Sequence, residues 1–253
     1  MRSFLKRFLS PKFRSRLRSR QPATFFRKAS YSQCGEDFLI SFVLELIHGK
    51  RPMRYVDIGA NHPFHLSNTA LLYEAGGEGV LVEPDPYYAG LLRSKRPRDS
   101  VLECGVHFSG ESRANFYVIE PPTLNTFSRQ EMERYVEMGH QLNETISVEL
   151  QGVNEILEQA GPLDFMNIDI EGLDKAILAM VDWERFRPTC ICVETISYET
   201  EQEPRKLNDI IELMHEQDYF PYADTFINTI FIDRRQWLNR WAKDGKKIGE
   251  RTF

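Results

Sequence analysis

Cysteine is scarce in this sequence. Its 253 residues include only four, Cys34, Cys104, Cys190 and Cys192, and none of them form a C-x-x-C pair. This number is too small for a disulfide scaffold, and the spacing does not indicate a zinc site. We therefore expect reduced cysteines, with Cys190 and Cys192 as buried thiols, and nothing in the spacing requires a metal ion.

Long apolar runs are also missing. No stretch approaches the ~18 consecutive apolar residues that a membrane-spanning helix requires. The N-terminus lacks the uninterrupted apolar core of a secretory signal. These absences predict a cytoplasmic protein.

Acidic residues are absent from the beginning of the chain. Residues 1–28 contain ten of the 32 Lys and Arg residues and none of the 37 Asp and Glu residues. The rest of the chain is therefore strongly acidic, which argues against broad contact with nucleic-acid phosphates. We expect no specific nucleic-acid partner.

The basic arm, residues 1–28, allows two interpretations. Leu5, Leu9, Phe13 and Leu17 recur every four positions among arginines. This pattern is typical of an amphipathic helix on anionic lipid, so residues 1–20 would contact the inner membrane surface. A flexible basic arm explains the same composition. We expect one domain over residues 29–253, and nothing indicates its oligomeric state.

Beyond the arm, apolar runs alternate with helical patterns, which indicates a doubly wound α/β fold with a mostly parallel, Rossmann-like sheet. Strands are predicted at MRYVDI, GVLVEP, SVLECGV, ANFYVI, ISVELQ, LDFMNIDI and TCICVET. The last runs, YFPYADT and INTIFID, predict a C-terminal antiparallel hairpin at one end of the sheet. Residues 120–145 are polar and fit no core pattern, so we predict a lid or insertion there.

The loop after the first strand lacks the expected glycines. In YVDIGANHPFHLSNT, Asp57 and Gly59 are present, but the dinucleotide pattern G-x-G-x-x-G is not completed. Gly59 permits a sharp turn, whereas Pro63 has no N–H to offer a phosphate. The loop is therefore a poor site for a diphosphate.

Glu83 follows the second strand, in LVEPDP. A carboxylate at this position accepts hydrogen bonds from both ribose hydroxyls of a bound nucleoside. S-adenosylmethionine has a ribose and no diphosphate, and its positive sulfonium and amine suit an acidic crevice that contains Asp57 and Glu83.

An NAD-dependent oxidoreductase is the alternative, although the missing glycines count against it. A non-catalytic, membrane-tethered binding module is a third hypothesis.

Five segments, in this order, resemble the FkbM-type methyltransferases: YSQCGEDFLI, YVDIGANHPFHLSNT, GVLVEPDP, LECGV and FMNIDIEGLDKAIL. The resemblance covers most of the chain outside the basic arm. It implies a seven-stranded methyltransferase sheet and S-adenosylmethionine-dependent transfer of a methyl group to a hydroxyl. The implied acceptor is a small molecule or a saccharide, such as a sugar, a glycan or a lipid-linked saccharide.

The resemblance also assigns cofactor-binding residues, namely Asp57, Gly59, Asn61, Glu83, Cys104, Gly105, Val106, Gln33 and Asp37. The first three would form the loop near the methionine part, and Glu83 would hold the ribose. The segment Cys104–Val106 would lie beside the adenine, and Gln33 and Asp37 would close over the cofactor. Asp37 also fits a simple helix cap. Pro63 departs from the family, which often has a glycine at this position.

Two acids, Asp169 and Glu171, lie at the end of the apolar strand that precedes Gly172. Alternate residues on a strand share a face, so both carboxylates are predicted to face the reactive methyl. A hydroxyl acceptor must lose its proton, and a positioned base contributes about 10² to 10⁴ in rate. Asp169 is the predicted base, and Glu171 is a second base or orients the acceptor. Glu171 also suits the N-terminus of the following helix.

Overall fold

The computed structural model describes residues 29–107, 110–170, 172–197 and 205–240. The basic arm lies outside the described residues, and both interpretations of it stay predictions. Within the described ranges, no helix is both long enough and apolar enough to cross a membrane.

Twelve strands are present in the described part of the chain: β1 (Arg54–Ile58), β2 (Glu78–Val82), β3 (Ser100–Leu102), β4 (Gly105–His107), β5 (Arg113–Glu120), β6 (Gln141–Gly152), β7 (Phe165–Ile168), β8 (Cys190–Glu194), β9 (Ile196–Ser197), β10 (Arg205–Lys206), β11 (Tyr219–Asp224) and β12 (Asn228–Asp233). The α-helices are α1 (Glu36–His48), α2 (Ala70–Glu74), α3 (Pro86–Lys95), α4 (Arg129–Glu137), α5 (Val153–Ala160), α6 (Asp174–Met180), α7 (Asn208–Glu216) and α8 (Arg234–Asn239).

The main sheet has seven strands in the order β11-β12-β8-β7-β1-β2-β3. Neighbouring strands are parallel except at β12, which is antiparallel to both β8 and β11. The predicted mostly parallel sheet with a C-terminal hairpin is therefore confirmed. Strand order reverses at β1, which pairs with β2 on one side and β7 on the other. Ligands bind at such a switch point in open α/β sheets.

Successive strand residues point to opposite faces of the sheet, which creates two cores. Val56 and Ile58 of β1 belong to the core that α5, α6 and α7 cover. Tyr55 belongs to the other core, which receives Leu44 of α1 and Leu72 of α2. The expectation of helices on both faces is thus confirmed.

A second, three-stranded sheet corrects one part of the prediction. The run SVLECGV is two strands, because β3 lies in the main sheet whereas β4 pairs with β6 in the order β4-β6-β5. Gly105 permits this pairing: a Cβ there would lie 2.7 Å from Cδ2 of Leu150 and 2.4 Å from Cζ of Phe127. The strands predicted at ANFYVI and ISVELQ also belong to this sheet, within the antiparallel pair β5 and β6.

The polar segment 120–145 contains a 3-10 turn at Pro122–Leu124, the helix α4 and the start of β6. Ser128 caps α4, since its Oγ accepts a hydrogen bond from the N–H of Glu131 at 3.2 Å. A Cβ on Gly172 would lie 3.7 Å from Cγ of Glu131, so α4 packs beside the loop that follows β7. Movement of this segment as a lid stays a prediction.

Candidate active site

A cavity of about 410 Å³ opens at the carboxyl ends of β1, β2 and β7. This volume lies within the range of about 300–1,000 Å³ that is usual for small-molecule sites. The segment 122–127 and part of α4 form its far wall. The sequence-predicted residues that line it are Gln33, Asp57, Gly59, Asn61, Glu83, Cys104, Gly105, Val106 and Asp169.

Gly59 brings the loops after β1 and β7 into contact. Its φ is 84°, and a Cβ at this position would lie 1.9 Å from the backbone oxygen of Asp169. Only glycine fits such an approach without moving one of the loops. The contact holds Asp169 beside the loop that follows β1.

Glu83 organises the turn of that loop. Its Oε2 accepts a hydrogen bond from the N–H of Asn61 at 2.7 Å, and Oε1 accepts one from the N–H of Asp85 at 2.8 Å. Each carboxylate oxygen has a second lone pair, which can accept a ribose hydroxyl. Burial raises the pKa of Glu83 to about 8, although both N–H groups favour the ionised form.

The Asp57 carboxylate accepts hydrogen bonds from two other side chains of the protein. Oδ2 accepts a hydrogen bond from the Thr69 hydroxyl at 2.6 Å, and Oδ1 accepts one from the side-chain amide of Asn167 at 2.8 Å. Burial raises its pKa above the ordinary value. Asn167 in turn accepts a bond from the Asn68 amide at 2.9 Å, and both asparagines line the cavity. Asp57 therefore orders the loop through these hydrogen bonds.

Asp37 is not among the residues that line the cavity. Its buried carboxylate accepts hydrogen bonds from the Tyr31 N–H at 2.8 Å and the Ser32 hydroxyl at 3.0 Å. The adjacent Glu36 accepts one from the N–H of Cys34 at 2.8 Å. These two acids shape the turn that carries Gln33 to the cavity. Asp37 therefore supports the position of Gln33 and does not itself line the cavity.

The cavity end beside β4 is apolar. Cys104 and Val106 are buried, and burial raises the pKa of the Cys104 thiol to about 11, which keeps it neutral. Phe116 and Phe127 line the same cavity with ring centres 4.7 Å apart. An apolar end with aromatic rings suits a flat base such as adenine.

Sequence reasoning missed Glu194 and Asn228, which line the cavity and are register partners across β8 and β12. The Asn228 amide donates to Oε1 of Glu36 at 3.3 Å, which fixes its orientation. The sequence did contain a signal for Glu194, because this acid directly follows the apolar run TCICV just as Glu83 directly follows the apolar run of β2.

Asp169 follows β7 and is open to the cavity. Among the described residues, no group donates a hydrogen bond to its carboxylate. Desolvation, together with the charges of Asp174 and Asp57, raises its pKa to about 7. The second predicted catalytic acid, Glu171, lies outside the described residues, so its part in catalysis stays a prediction.

The family model described as Methyltransferase FkbM domain matches residues 57–221, which is more than half of the chain. The chain belongs to the FkbM methyltransferase family. It is an S-adenosylmethionine-dependent methyltransferase, and the NAD-dependent alternative is wrong. A search of curated proteins found no significant match.

Several solved structures resemble this FkbM methyltransferase at a distance. A TehB-like SAM-dependent methyltransferase from Corynebacterium glutamicum shares 11% identity over 88% of this chain and 96% of its own, with a TM-score of 0.42. An O-methyltransferase from Bacillus cereus in complex with SAH shares 16% over 90% and 94%, with a TM-score of 0.40. A 1,6-didemethyltoxoflavin-N1-methyltransferase from Burkholderia thailandensis shares 12% over 79% and 77%, with a TM-score of 0.38. These distant likenesses decide nothing about the acceptor.

The cavity residues of this FkbM protein fit S-adenosylmethionine. Glu83 offers lone pairs to a ribose, and the Cys104–Val106 end is apolar. The acids Asp57 and Asp169 suit a cationic ligand. When bound, this cofactor supplies an electrophilic methyl group on its sulfonium. In the described part of the chain, no group of three His, Cys, Asp or Glu residues could hold a metal ion.

Proposed function

We propose that this enzyme methylates a hydroxyl group, and that the acceptor is a sugar or glycan. The observation that carries the proposal is Asp169, whose carboxylate is open to the cavity beside the cofactor loop and receives no hydrogen bond from a described residue. A hydroxyl is a poor nucleophile until a base takes its proton. Asp169 would supply this base.

The wall next to Asp169 supports a polyhydroxylated acceptor. Ile168 pairs with Val193, so Asp169 and Glu194 follow paired residues on neighbouring parallel strands. Asn228 lies opposite Glu194 on the next strand. A row of carboxylates and an amide offers several acceptors for the hydroxyl donors of a sugar. With the cofactor held by Glu83 and the Cys104–Val106 end, this row would face the second substrate.

An acceptor panel tests the proposal. Methyl transfer is measured as S-adenosylhomocysteine formed in the presence of monosaccharides, glycosides, amines or thiols. We expect turnover with hydroxylated acceptors, and a fall of about 10²- to 10⁴-fold in the Asp169→Asn variant. S-adenosylhomocysteine affinity should change little, since the amide keeps the shape of the carboxylate.

Glu158→Gln is the matched control, because it removes an exposed carboxylate on α5 that pairs with Arg185. It should retain full turnover. Transfer confined to amines or thiols, or an Asp169→Asn enzyme that methylates hydroxyls at the unmodified rate, would refute the proposal.

The sequence of residues 1–20 supports a second part of the proposal, that the enzyme binds anionic membrane surfaces from the cytoplasmic side. The basic and apolar residues of this segment alternate at helical spacing. The full-length chain should sediment with vesicles that contain phosphatidylserine and be released by salt. Equal binding to neutral phosphatidylcholine vesicles, or no binding to either, would contradict this part alone.

A further inference from the structure

Arg96 is a buried cation that follows α3 and lies outside the cavity lining. Its Nε donates to Oδ2 of Asp99 at 2.7 Å, and Asp99 has no exposed side-chain surface. One terminal nitrogen also donates to the hydroxyl of Tyr55 at 3.0 Å. A buried ion pair is weak evidence for stability, because desolvation offsets much of the attraction. The pairing with Asp99 therefore does not by itself explain why this charge is buried.

The remaining donors of Arg96 point to the predicted cofactor loop, residues 59–69, which follows β1. Nη1 donates to Oγ1 of Thr69 at 3.0 Å and makes longer contacts with the carbonyl of Pro63 at 3.4 Å and Oγ of Ser67 at 3.5 Å. The Thr69 hydroxyl donates its own proton to Asp57. A continuous hydrogen-bonded chain thus runs from the guanidinium to the acid at the end of β1.

This loop needs support from outside. Asn61 has a φ of 46° and Leu66 one of 56°, which are left-handed conformations that side chains disfavour. Such conformations persist where surrounding contacts hold them. Within the loop, the N–H groups of Phe64 and His65 bond only to Nδ1 of His62, at 3.1 and 2.9 Å. Arg96 contacts this turn at the carbonyl of Pro63 and the segment after it at Ser67 and Thr69.

We propose that Arg96 is the positioning residue of the cofactor loop. Its planar set of donors holds residues 63–69 in the shape that presents Leu66, Ser67 and Asn68 to the cavity. Lysine cannot replace it, since an ammonium group lacks the planar fork that reaches several partners together.

Two variants test the proposal through S-adenosylhomocysteine binding, measured by calorimetry. Arg96→Lys should weaken affinity by about tenfold, the equivalent of one charged hydrogen bond. Thr69→Val keeps the Arg96–Asp99 pair, cuts the link to Asp57 and should weaken affinity in the same direction. Amide exchange should become faster at residues 61–69 in both variants and stay unchanged in β8.

Arg98→Lys is the matched control. Arg98 stacks on the Tyr73 ring at 3.8 Å, as Arg96 does at 5.1 Å, and its side chain donates to the carbonyl of Gly77 instead of to the loop. It should bind S-adenosylhomocysteine normally. The double variant Arg96→Lys/Thr69→Val should lose less than the sum of the two single losses, because both act through one chain of bonds.

If Arg96 only stabilised the fold, the affinity and amide-exchange measurements would give different results. Folded Arg96→Lys and Thr69→Val proteins that bind S-adenosylhomocysteine like the unmodified enzyme, with unchanged exchange at residues 61–69, would overturn the proposal. Lowered thermal stability with normal affinity would overturn it as well. If Arg96→Lys does not fold, Thr69→Val alone decides.

Discussion

Asp169 combines two properties that a general base needs. Its carboxylate is open to the cavity, and its pKa is raised to about 7 by desolvation and by the acids Asp174 and Asp57. A base with such a pKa is ionised in a large fraction of molecules at neutral pH and still holds a proton well. The ordinary aspartate pKa near 4 would make it a weaker base.

The pH dependence of turnover follows from this pKa. Asp169 acts only when it is deprotonated, so the rate should rise with pH through about 7 and then level off. The rate is measured as kcat/KM at S-adenosylmethionine concentrations well below saturation, because kcat/KM reports the pKa of the enzyme before the cationic cofactor binds. The rise should be absent from the residual activity of Asp169→Asn, and the same rise in that variant would assign it to another group.

Residues at strand ends were predictable, whereas residues that act through distant contacts were not. Asp57, Glu83 and Asp169 each end or follow an apolar strand, where the edge of a parallel sheet is known to bind ligands. In the sequence, Arg96 is one of several charged residues in the run SKRPRD. Only the folded structure shows that it is buried beneath the loop. Asn228 is found only through its register with Glu194.

At the scale of elements, the active site depends on how closely the loops after β1 and β7 approach. Gly59→Ala would place a Cβ 1.9 Å from the backbone oxygen of Asp169 and force a φ of 84° on alanine. We expect the melting temperature to fall by several degrees, because a non-glycine residue in the left-handed conformation alone costs about 1–3 kcal/mol. Affinity for S-adenosylmethionine should fall as well, since the loops must separate.

Gly90→Ala is the matched control for this prediction. Gly90 lies in α3, and a Cβ there would meet nothing within 4 Å. Alanine should therefore stabilise the protein by about 0.5–1 kcal/mol through helix propensity. Equal behaviour of the two variants in a thermal melt would contradict the close approach at Gly59.

Element type could be predicted from the sequence more readily than sheet membership. The main strands and the C-terminal hairpin follow from apolar runs and turns. Division of SVLECGV between two sheets depends on Gly105 packing against Phe127 and Leu150, which are far along the chain. No local pattern contains this information, because the same residues would suit one continuous strand.

At the scale of the whole molecule, the acids of one cavity act together. Burial is the first cause of a raised pKa at Asp57, Glu83, Asp169 and Asp174. Acids with a raised pKa stabilise the fold fully below their ordinary pKa of about 4, and this contribution is lost as pH rises through their folded values. The free energy of unfolding of the enzyme without cofactor should therefore decrease as the pH rises from about 4 to about 8.

Cofactor binding should reverse part of this loss. The sulfonium of S-adenosylmethionine carries a positive charge that S-adenosylhomocysteine lacks, and it should favour the ionised acids. The rise in melting temperature with S-adenosylmethionine should then be larger at pH 8 than at pH 6. A rise that is the same at both pH values would show that these acids do not sense the cofactor.

We expect the cavity at the carboxyl ends of β1, β2 and β7 to hold the methyl donor and to direct its methyl group toward Asp169. A crystal structure of the enzyme with S-adenosylhomocysteine would show whether it does. The ribose hydroxyls should bond to Glu83, the adenine should lie beside Cys104–Val106, and the sulfur should lie on the side of Asp169. A ligand bound outside this cavity, or one whose ribose makes no hydrogen bond with Glu83, would contradict this expectation.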